Sequence, residues 1–349
     1  MGCKMKNNIT IYTLAEELGM TPSMVSRAFN PNAKIAKDKR EAVLEAAKRY
    51  GFSPNKLASR LSQRTLKIGI LIVYKAEHVR DGLLEGFAKG FDNMRDYKTE
   101  YTVTLVRAAE KSADKCREEL FAFADFDGVI LSGFSSGLCA PILTEFSEVN
   151  PNLVFVQNLC EDAPRLFSSK HDEELAATLS AQLLYERLYY KERKNVLLFT
   201  GDLSSSVHKR ARASFERSCD KLGLTVIDRI DMKDSDSFFA ENIDGILDKY
   251  EQELDGIYIT SGNSSVLCDS LRSRGIDTSL VLSDVHDSVC ESIADGVAFA
   301  AICQNFSQQA QVAFEKLVEY LAGGKKPNAI YYSQVIPVFK STLELYKNK

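Results

Sequence analysis

The side chains of this sequence with the most chemical potential are a serine flanked by glycines, four histidines, eight cysteines, and a cluster of hydroxyl and guanidinium groups near residue 25. Gly133-Phe134-Ser135-Ser136-Gly137 has the G-x-S-x-G spacing of a nucleophile elbow and follows the apolar run Val129-Ile130-Leu131. A serine on such a turn attacks an acyl carbon only when an acid and a histidine converge on it. Asp284 and His286 come in that order but stand two residues apart, which is poor for convergence on one serine, so a serine hydrolase is a remote alternative. The histidines (His78, His171, His208, His286) lie far apart in the chain, and no His/Cys group has structural-zinc spacing. The cysteines form no C-x-x-C pair and are scattered, as reduced thiols of a cytoplasmic protein are. Gly323-Gly324-Lys325-Lys326 lacks the spacing of a phosphate loop and reads as a helix terminator with a turn. No metal and no organic cofactor is implied.

The cluster near residue 25 fits a different chemistry. Residues 1–66 carry twelve Lys/Arg against five Asp/Glu, a net of +7, whereas the other residues carry −11. A basic head on an acidic body points to a polyanion met by the head alone. Three short helices must position its side chains. Residues 11–18 place Leu14 and Leu18 on one face, and Gly19 follows where a left-handed residue ends a helix. Thr21 then suits an N-cap and Pro22 the first helical position, with Val25, Ala28 and Phe29 inward and Ser23, Ser26 and Arg27 outward. A third helix over 38–50 turns Val43, Leu44 and Ala47 inward. Two short helices around a tight turn, braced by a third, make a helix-turn-helix unit, whose second helix enters the major groove of DNA.

The order Thr10-Ile11-Tyr12, Ala15, Gly19, Val25-Ser26-Arg27, Asn30, Arg40 with Val43, Gly51-Phe52-x-Pro54-Asn55, Leu57-Ala58-Ser59-Arg60-Leu61 and Ile68-Gly69 resembles the LacI/GalR family of transcription regulators. The resemblance implies a headpiece over 1–53, a hinge over 54–66 and an effector-binding and dimerisation core over 67–349. It assigns operator contacts to Thr21, Pro22, Ser23, Ser26, Arg27, Asn30, Lys34, Asn55, Leu57, Ala58 and Leu61. Arg27, Lys34, Lys37 and Arg40 are the candidates for phosphate contacts. Leu61 corresponds to the family's hinge leucine, which wedges into the minor groove at the central base step. Pro22 departs from the family: many members carry a hydrogen-bonding or aromatic side chain there, and proline offers only apolar contact.

From residue 67 onward, apolar strand candidates (67–73, 101–107, 127–132, 153–157, 196–200, 224–230, 256–260, 280–283, 298–302) alternate with helical stretches such as 206–222, 236–250 and 306–322. That alternation argues for parallel sheets covered on both faces. The expected fold is therefore an all-α helix-turn-helix headpiece plus an α/β periplasmic-binding-protein-like core of two Rossmann-like lobes. The resemblance places the first lobe at about 67–167 and 304–332 and the second at about 168–303 and 333–349. Ligands of parallel sheets sit beyond the carboxyl ends of the strands, here between the lobes.

The resemblance picks out Asp284 as the main effector residue, Asp172 as the cleft acid after the crossover, and Arg210 or Arg212 after the Gly201–Ser205 loop. Thr260-Ser261-Gly262 replaces the family's Ala-Asn-Asp, which makes Ser261 a candidate, and Tyr74 could offer a stacking ring. The implied partners are a pseudo-palindromic operator DNA, a second copy of the chain, and a small-molecule effector with a sugar favoured. A non-sugar metabolite or a protein partner is the alternative. A solute-binding protein for a transporter shares the core, but residues 1–8 carry no apolar signal region and the head would have no use there. No apolar run suits a membrane span.

Overall fold

The computed structural model describes residues 11–29, 33–50, 64–134, 139–157, 160, 162–324 and 326–346. Asn30, the hinge residues Asn55, Leu57, Ala58 and Leu61, and Ser135 lie outside the described residues.

The head folds as three helices: α1 (Ile11–Glu17), α2 (Pro22–Phe29) and α3 (Lys37–Tyr50). Gly19 takes the left-handed conformation (φ 61°) that turns the chain from α1 toward α2. Thr21 caps α2, its Oγ1 accepting from the Met24 N–H at 3.2 Å. Leu14, Ala15, Val25, Ala28, Val43, Ala46 and Ala47 form the small core. Leu44, expected inward, is instead 46% exposed, and Ala46 takes its place. From Val43 the inward face of a helix recurs at three and four residues onward, which reaches Ala46 and Ala47 and leaves Leu44 about 100° off that face.

The core opens with β1 (Leu66–Tyr74), α4 (Glu77–Asn93), β2 (Thr99–Arg107), α5 (Ala113–Phe121), β3 (Gly128–Ser132), α6 (Ala140–Val149), β4 (Leu153–Val156) and β5 (Phe167–Lys170). It continues with α7 (Glu173–Arg187), β6 (Asn195–Thr200), α8 (Ser206–Leu222), β7 (Thr225–Asp231), α9 (Asp236–Tyr250), β8 (Gly256–Ile259), α10 (Ser265–Arg274), β9 (Ser279–Ser283), α11 (Asp287–Ala294) and β10 (Ala300–Cys303). α12 (Phe306–Leu321), β11 (Ile330–Tyr332) and β12 (Ile336–Val338) come last.

Two six-stranded sheets result, in the orders β11-β5-β4-β3-β1-β2 and β12-β10-β9-β8-β6-β7. Every pairing is parallel except β12, which runs antiparallel on β10. The central strands GVILS, LVFV and GIYI are buried along their whole length, as sheets covered on both faces require. The chain passes from the first sheet to the second after Lys170, returns between Cys303 and Phe306, and passes over again between Tyr332 and Ile336.

Three strands were not expected from the sequence. β5 (FSSK) lacks an apolar run, and β11 and β12 are three residues each. β12 also contains Pro337, which an edge strand accommodates because one side of its backbone needs no ladder donor. β5 keeps residues 168–170 in the first sheet, a few residues beyond the expected lobe boundary.

One device in the first lobe has no counterpart in the motif reading. Gly82, Gly86 and Gly90 stand four residues apart on α4 and face α12. A Cβ at Gly82 would lie 3.2 Å from the Phe306 Cβ, and one at Gly90 3.0 Å from the Phe314 Cβ. At Gly86 a Cβ would run into the Ser307 carbonyl oxygen and come within 2.8 Å of the Ala310 Cβ. The two helices touch backbone to side chain through this stripe, and a backbone carbonyl cannot move aside. Gly86→Val is therefore expected to cost about 3 kcal/mol through overpacking, read as a lower urea midpoint with an unchanged slope. An unchanged midpoint would show that the helix pair yields freely.

Candidate functional site

The outer face of α2 is polar. Thr21, Ser23, Ser26 and Arg27 are exposed and Pro22 is half-buried, while Val25 and Ala28 hold the helix to the core. Lys34 is exposed in the segment leading to α3. Ser23, Ser26 and Arg27 thus point away from the core of the head, as the alternation of polar and apolar residues implied. Arg40 is a correction. Its guanidinium donates to the Ala28 carbonyl at 3.2 Å and the Ala33 carbonyl at 2.7 Å, tying α3 to the end of α2 rather than facing a phosphate. Lys37 lies 4.0 Å from Glu41 on the exposed side of α3. Arg40→Ala should therefore destabilise the head by about 1.5–3 kcal/mol, the range for hydrogen bonds to a charged group. The measurement is an early thermal transition of the head; a head melting unchanged would return Arg40 to the phosphate contacts.

The second site is a cleft of about 400 Å³ between the lobes. The carboxyl ends of strands converge on it. β1 supplies Lys75 and Ala76 at its end, β4 Gln157, β7 Asp234, β8 Thr260 to Asn263, β9 Ser283 and Asp284, and β10 Gln304. Among the described residues, the non-glycine positions with positive φ are Gln157, Lys233, Asp234, Asp284 and Asn305, all just beyond strand ends. Three of them line the cleft. Local backbone strain of this kind persists where the surroundings hold it, and it concentrates at binding sites.

Ser261 and Asp284, both expected at the site, line the cleft and are buried. Asp284 (φ 66°) is 6% exposed, and its Oδ1 has no hydrogen-bond partner. Burial pushes its carboxyl up to about 7, against the lowering effect of His208 and Gln304. The Asp234 carboxylate accepts from the Ser261 hydroxyl at 2.7 Å and from the Asp202 N–H at 3.0 Å, and its Oδ2 lies 3.3 Å from His208 Nε2. Burial alone would raise Asp234, but His208, then the Asp202 N–H and the Ser261 hydroxyl, hold it well below the usual carboxylate range. His208 Nδ1 lies 2.9 Å from the Thr260 hydroxyl, which fixes the ring at both ends.

The other expected effector residues are corrected. Tyr74 ends β1 buried beneath the Arg80 guanidinium, 5.2 Å over its ring, and does not reach the cleft lining. Asp172 caps α7, accepting from the N–H groups of Glu174 and Leu175 at 3.1 and 2.9 Å. Arg210 points to the side of α8 opposite His208 and pairs with the buried Glu173. Glu173 also holds Lys170, with both oxygens 2.8 Å from its Nζ. Asp172, Glu173 and Arg210 line a smaller cavity of about 210 Å³ beside the cleft. Arg212 lies two residues further along α8 and turns to Glu216 at 3.2 Å.

The structure also brings together histidines that the chain keeps far apart. His78, His171, His208 and His286, all four in the chain, line this one cleft. They come from α4, the first crossover, α8 and the turn before α11, so no sequence spacing could have grouped them. No His/Cys/Asp/Glu group with metal-binding geometry exists among the described residues. Besides Asp284 Oδ1, buried His78 Nε2, His171 Nδ1 and Asn263 Nδ2 have no hydrogen-bond partner. Leaving such atoms unsatisfied costs about 1–3 kcal/mol each. A ligand presenting both donors and acceptors would meet them.

Residues 86–326 match the periplasmic binding protein domain family. The chain is similar to catabolite control protein A of Streptococcus mutans, 28% identical over 224 residues, which is 62% of this chain and 62% of that protein. It is similar to the HTH-type transcriptional regulator pepR1 of Lactobacillus delbrueckii subsp. lactis, 26% identical over 283 residues, 77% of this chain and 78% of that one. In three dimensions it resembles a sugar-binding protein of a sugar ABC transporter from Bacillus halodurans, with a TM-score of 0.71 at 14% identity over 80% of this chain and 99% of that one. No helix among the described residues is long and apolar enough to cross a membrane. The chain belongs to the periplasmic binding protein domain family, and the curated proteins it is similar to are transcription regulators of the LacI/GalR kind.

Proposed function

We propose that this protein is a sequence-specific DNA-binding transcription regulator of the cytoplasm, acting as a repressor, whose grip on DNA is set by a small polyhydroxylated effector in the interlobe cleft. One observation carries the reading: a single chain joins an exposed polar recognition helix to a cleft whose buried polar atoms await a ligand. The core alone would equally suit a solute-binding protein, and the head decides between them. Thr21, Ser23 and Ser26 sit where a recognition helix meets base edges or nearby phosphates, and Arg27 and Lys34 where it meets the backbone. Two heads from a dimer would read a pseudo-palindromic operator, with Asn30 and the hinge residues Asn55, Leu57, Ala58 and Leu61 completing the contact.

In the cleft, hydroxyl groups suit the need for both hydrogen-bond senses: Asp284 Oδ1 accepts, Asn263 Nδ2 donates, and the histidines do either. Such a ligand touches both lobes and shifts the population between lobe arrangements by its differential affinity. The test is enrichment of bound duplexes from a random library by the full-length protein, then anisotropy titration of the winner over a salt series. A palindromic winner is expected, with log affinity falling linearly in log salt by about 0.9 for each phosphate neutralised. No enrichment, or a flat salt response, would overturn the reading. A thermal-shift screen of sugars and polyols then identifies the effector.

A further inference from the structure

Contacts between the two lobes span the cleft: the Lys75 ammonium donates to the Asp234 carbonyl, and two histidine rings meet face to face. His78 begins α4 of the first lobe, and His286 caps α11 of the second. Their rings stack across the cleft with centroids 4.4 Å apart and planes 26° from parallel, and Phe306 lies behind His78 at 6.2 Å. Gly262 lies beside the stack. A Cβ at Gly262 would lie 2.9 Å from Asp284 Oδ2 and 4.0 Å from His78 Nε2. His286 Nε2 lies 3.4 Å from the Gly262 carbonyl and its Nδ1 3.2 Å from the Ser288 hydroxyl. No carboxylate among the described residues hydrogen-bonds either ring.

We propose that the His78–His286 stack is a proton-sensitive latch: it closes the cleft while both rings are neutral and opens it when they take up protons. This rests on the reading of the cleft as the effector site, and it assigns that site a second input, pH.

The physical reason is charge. Two imidazolium rings face to face, shielded from water, repel each other and lose hydration, whereas rings in an open cleft are solvated. The groups facing the pair are few. On the His78 side Asp81 raises the ring, while Lys75 is turned to the Asp234 carbonyl and Arg80 lies over Tyr74 and pairs with Glu77 and Asp81. On the His286 side they are Asp287, which raises it slightly, and Asp284 and His208 deeper in the cleft. Against these, burial and the facing His286 push His78 down to about 4, and burial lowers His286.

The sign follows. In the open form the imidazole keeps its ordinary value near 6.5, so it takes up a proton before the closed form does. The closed form is favoured above that value and loses ground as pH falls from about 6.5 toward 4. With a closed value of about 4, His78 alone shifts the closed-to-open ratio by about 30-fold between pH 7.5 and pH 5.0. Asp284, raised to about 7 by burial, works in the opposite direction in an empty cleft and must be removed from the comparison.

The experiment is small-angle X-ray scattering on the full chain without ligand at pH 7.5 and 5.0, in the Asp284→Asn background. Asparagine there keeps the size and the tolerance of positive φ. The expected result is an increase in radius of gyration on acidification that disappears when His78→Gln or His286→Gln is added. An unchanged radius in the parent, or an equal increase in the glutamine variants, would overturn the latch. If one variant fails to fold, as judged by circular dichroism, the other gives the same comparison. No ligand or DNA is present, so failure here leaves the effector reading standing, and failure of the sugar screen leaves the latch standing.

Discussion

Glu173→Gln is expected to destabilise the core by about 3–5 kcal/mol, the largest single-residue effect anticipated for this chain. Glu173 is 3% exposed and begins α7, immediately after the first crossover. It answers two cations: Lys170, itself 4% exposed at the end of the first lobe's sheet, and Arg210 on α8 of the second lobe. Glutamine preserves the shape but leaves Lys170 buried without a counter-charge, and that uncompensated charge is what makes breaking such a pair expensive. The pH dependence gives an internal check. Desolvation would raise the Glu173 carboxyl, but Lys170 first and then Arg210 outweigh it, so its pKa lies below the ordinary glutamate value. A depressed carboxylate contributes its stability above the unfolded value, about 4.3, and loses it as pH falls through the lower folded value. The gap between wild type and variant in urea melts should therefore be full at pH 7 and shrink below about pH 4. Equal midpoints at pH 7 would mean that the crossover is not braced by this carboxylate.

Asp284→Ala is expected to lower effector affinity by about 10- to 150-fold, the cost of one or two hydrogen bonds to a charged acceptor, while apo operator binding stays nearly intact. The response of DNA binding to effector would then fail at concentrations that saturate wild type. Asp284 is the cleft carboxyl whose Oδ1 is buried without a partner, and its position beyond β9 is held in a left-handed backbone that alanine tolerates poorly. Asp284→Asn is the companion variant, since it keeps that conformation and removes only the carboxylate. A hydroxyl donating to the ionised form favours it, so wild-type affinity should rise as pH climbs through about 7. The asparagine variant should lack that part of the rise. Isothermal titration at several pH values reads both effects, and a variant with unchanged affinity would remove Asp284 from the site.

Much of this protein was legible in its sequence because the signals were local. Glycine at 19, a capping threonine at 21 and an apolar stripe at Val25 and Ala28 act within one turn of helix, and the head formed as those residues dictate. Period and composition marked β1 through β4, β6 through β10 and the long helices; the central strands stood out most, because strands buried on both faces must be apolar throughout. The strands that escaped notice, FSSK, IYY and IPV, are short or polar and exist only because a neighbour supplies their ladder.

The cleft was legible as a place but not as a set of residues. The family resemblance named Asp284 and Ser261 at strand ends, whereas Arg210, Arg212 and Asp172 could not be oriented. Two residues along α8 separate a cleft-facing His208 from an Arg210 turned toward Glu173, and sequence register alone could not decide which side faced in. The motif reading determined that a basic head of patterned helices precedes an α/β body. Only the tertiary structure decided that four histidines spread over more than two hundred residues share one cleft, because crossovers between two sheets bring together strand ends that the chain keeps apart.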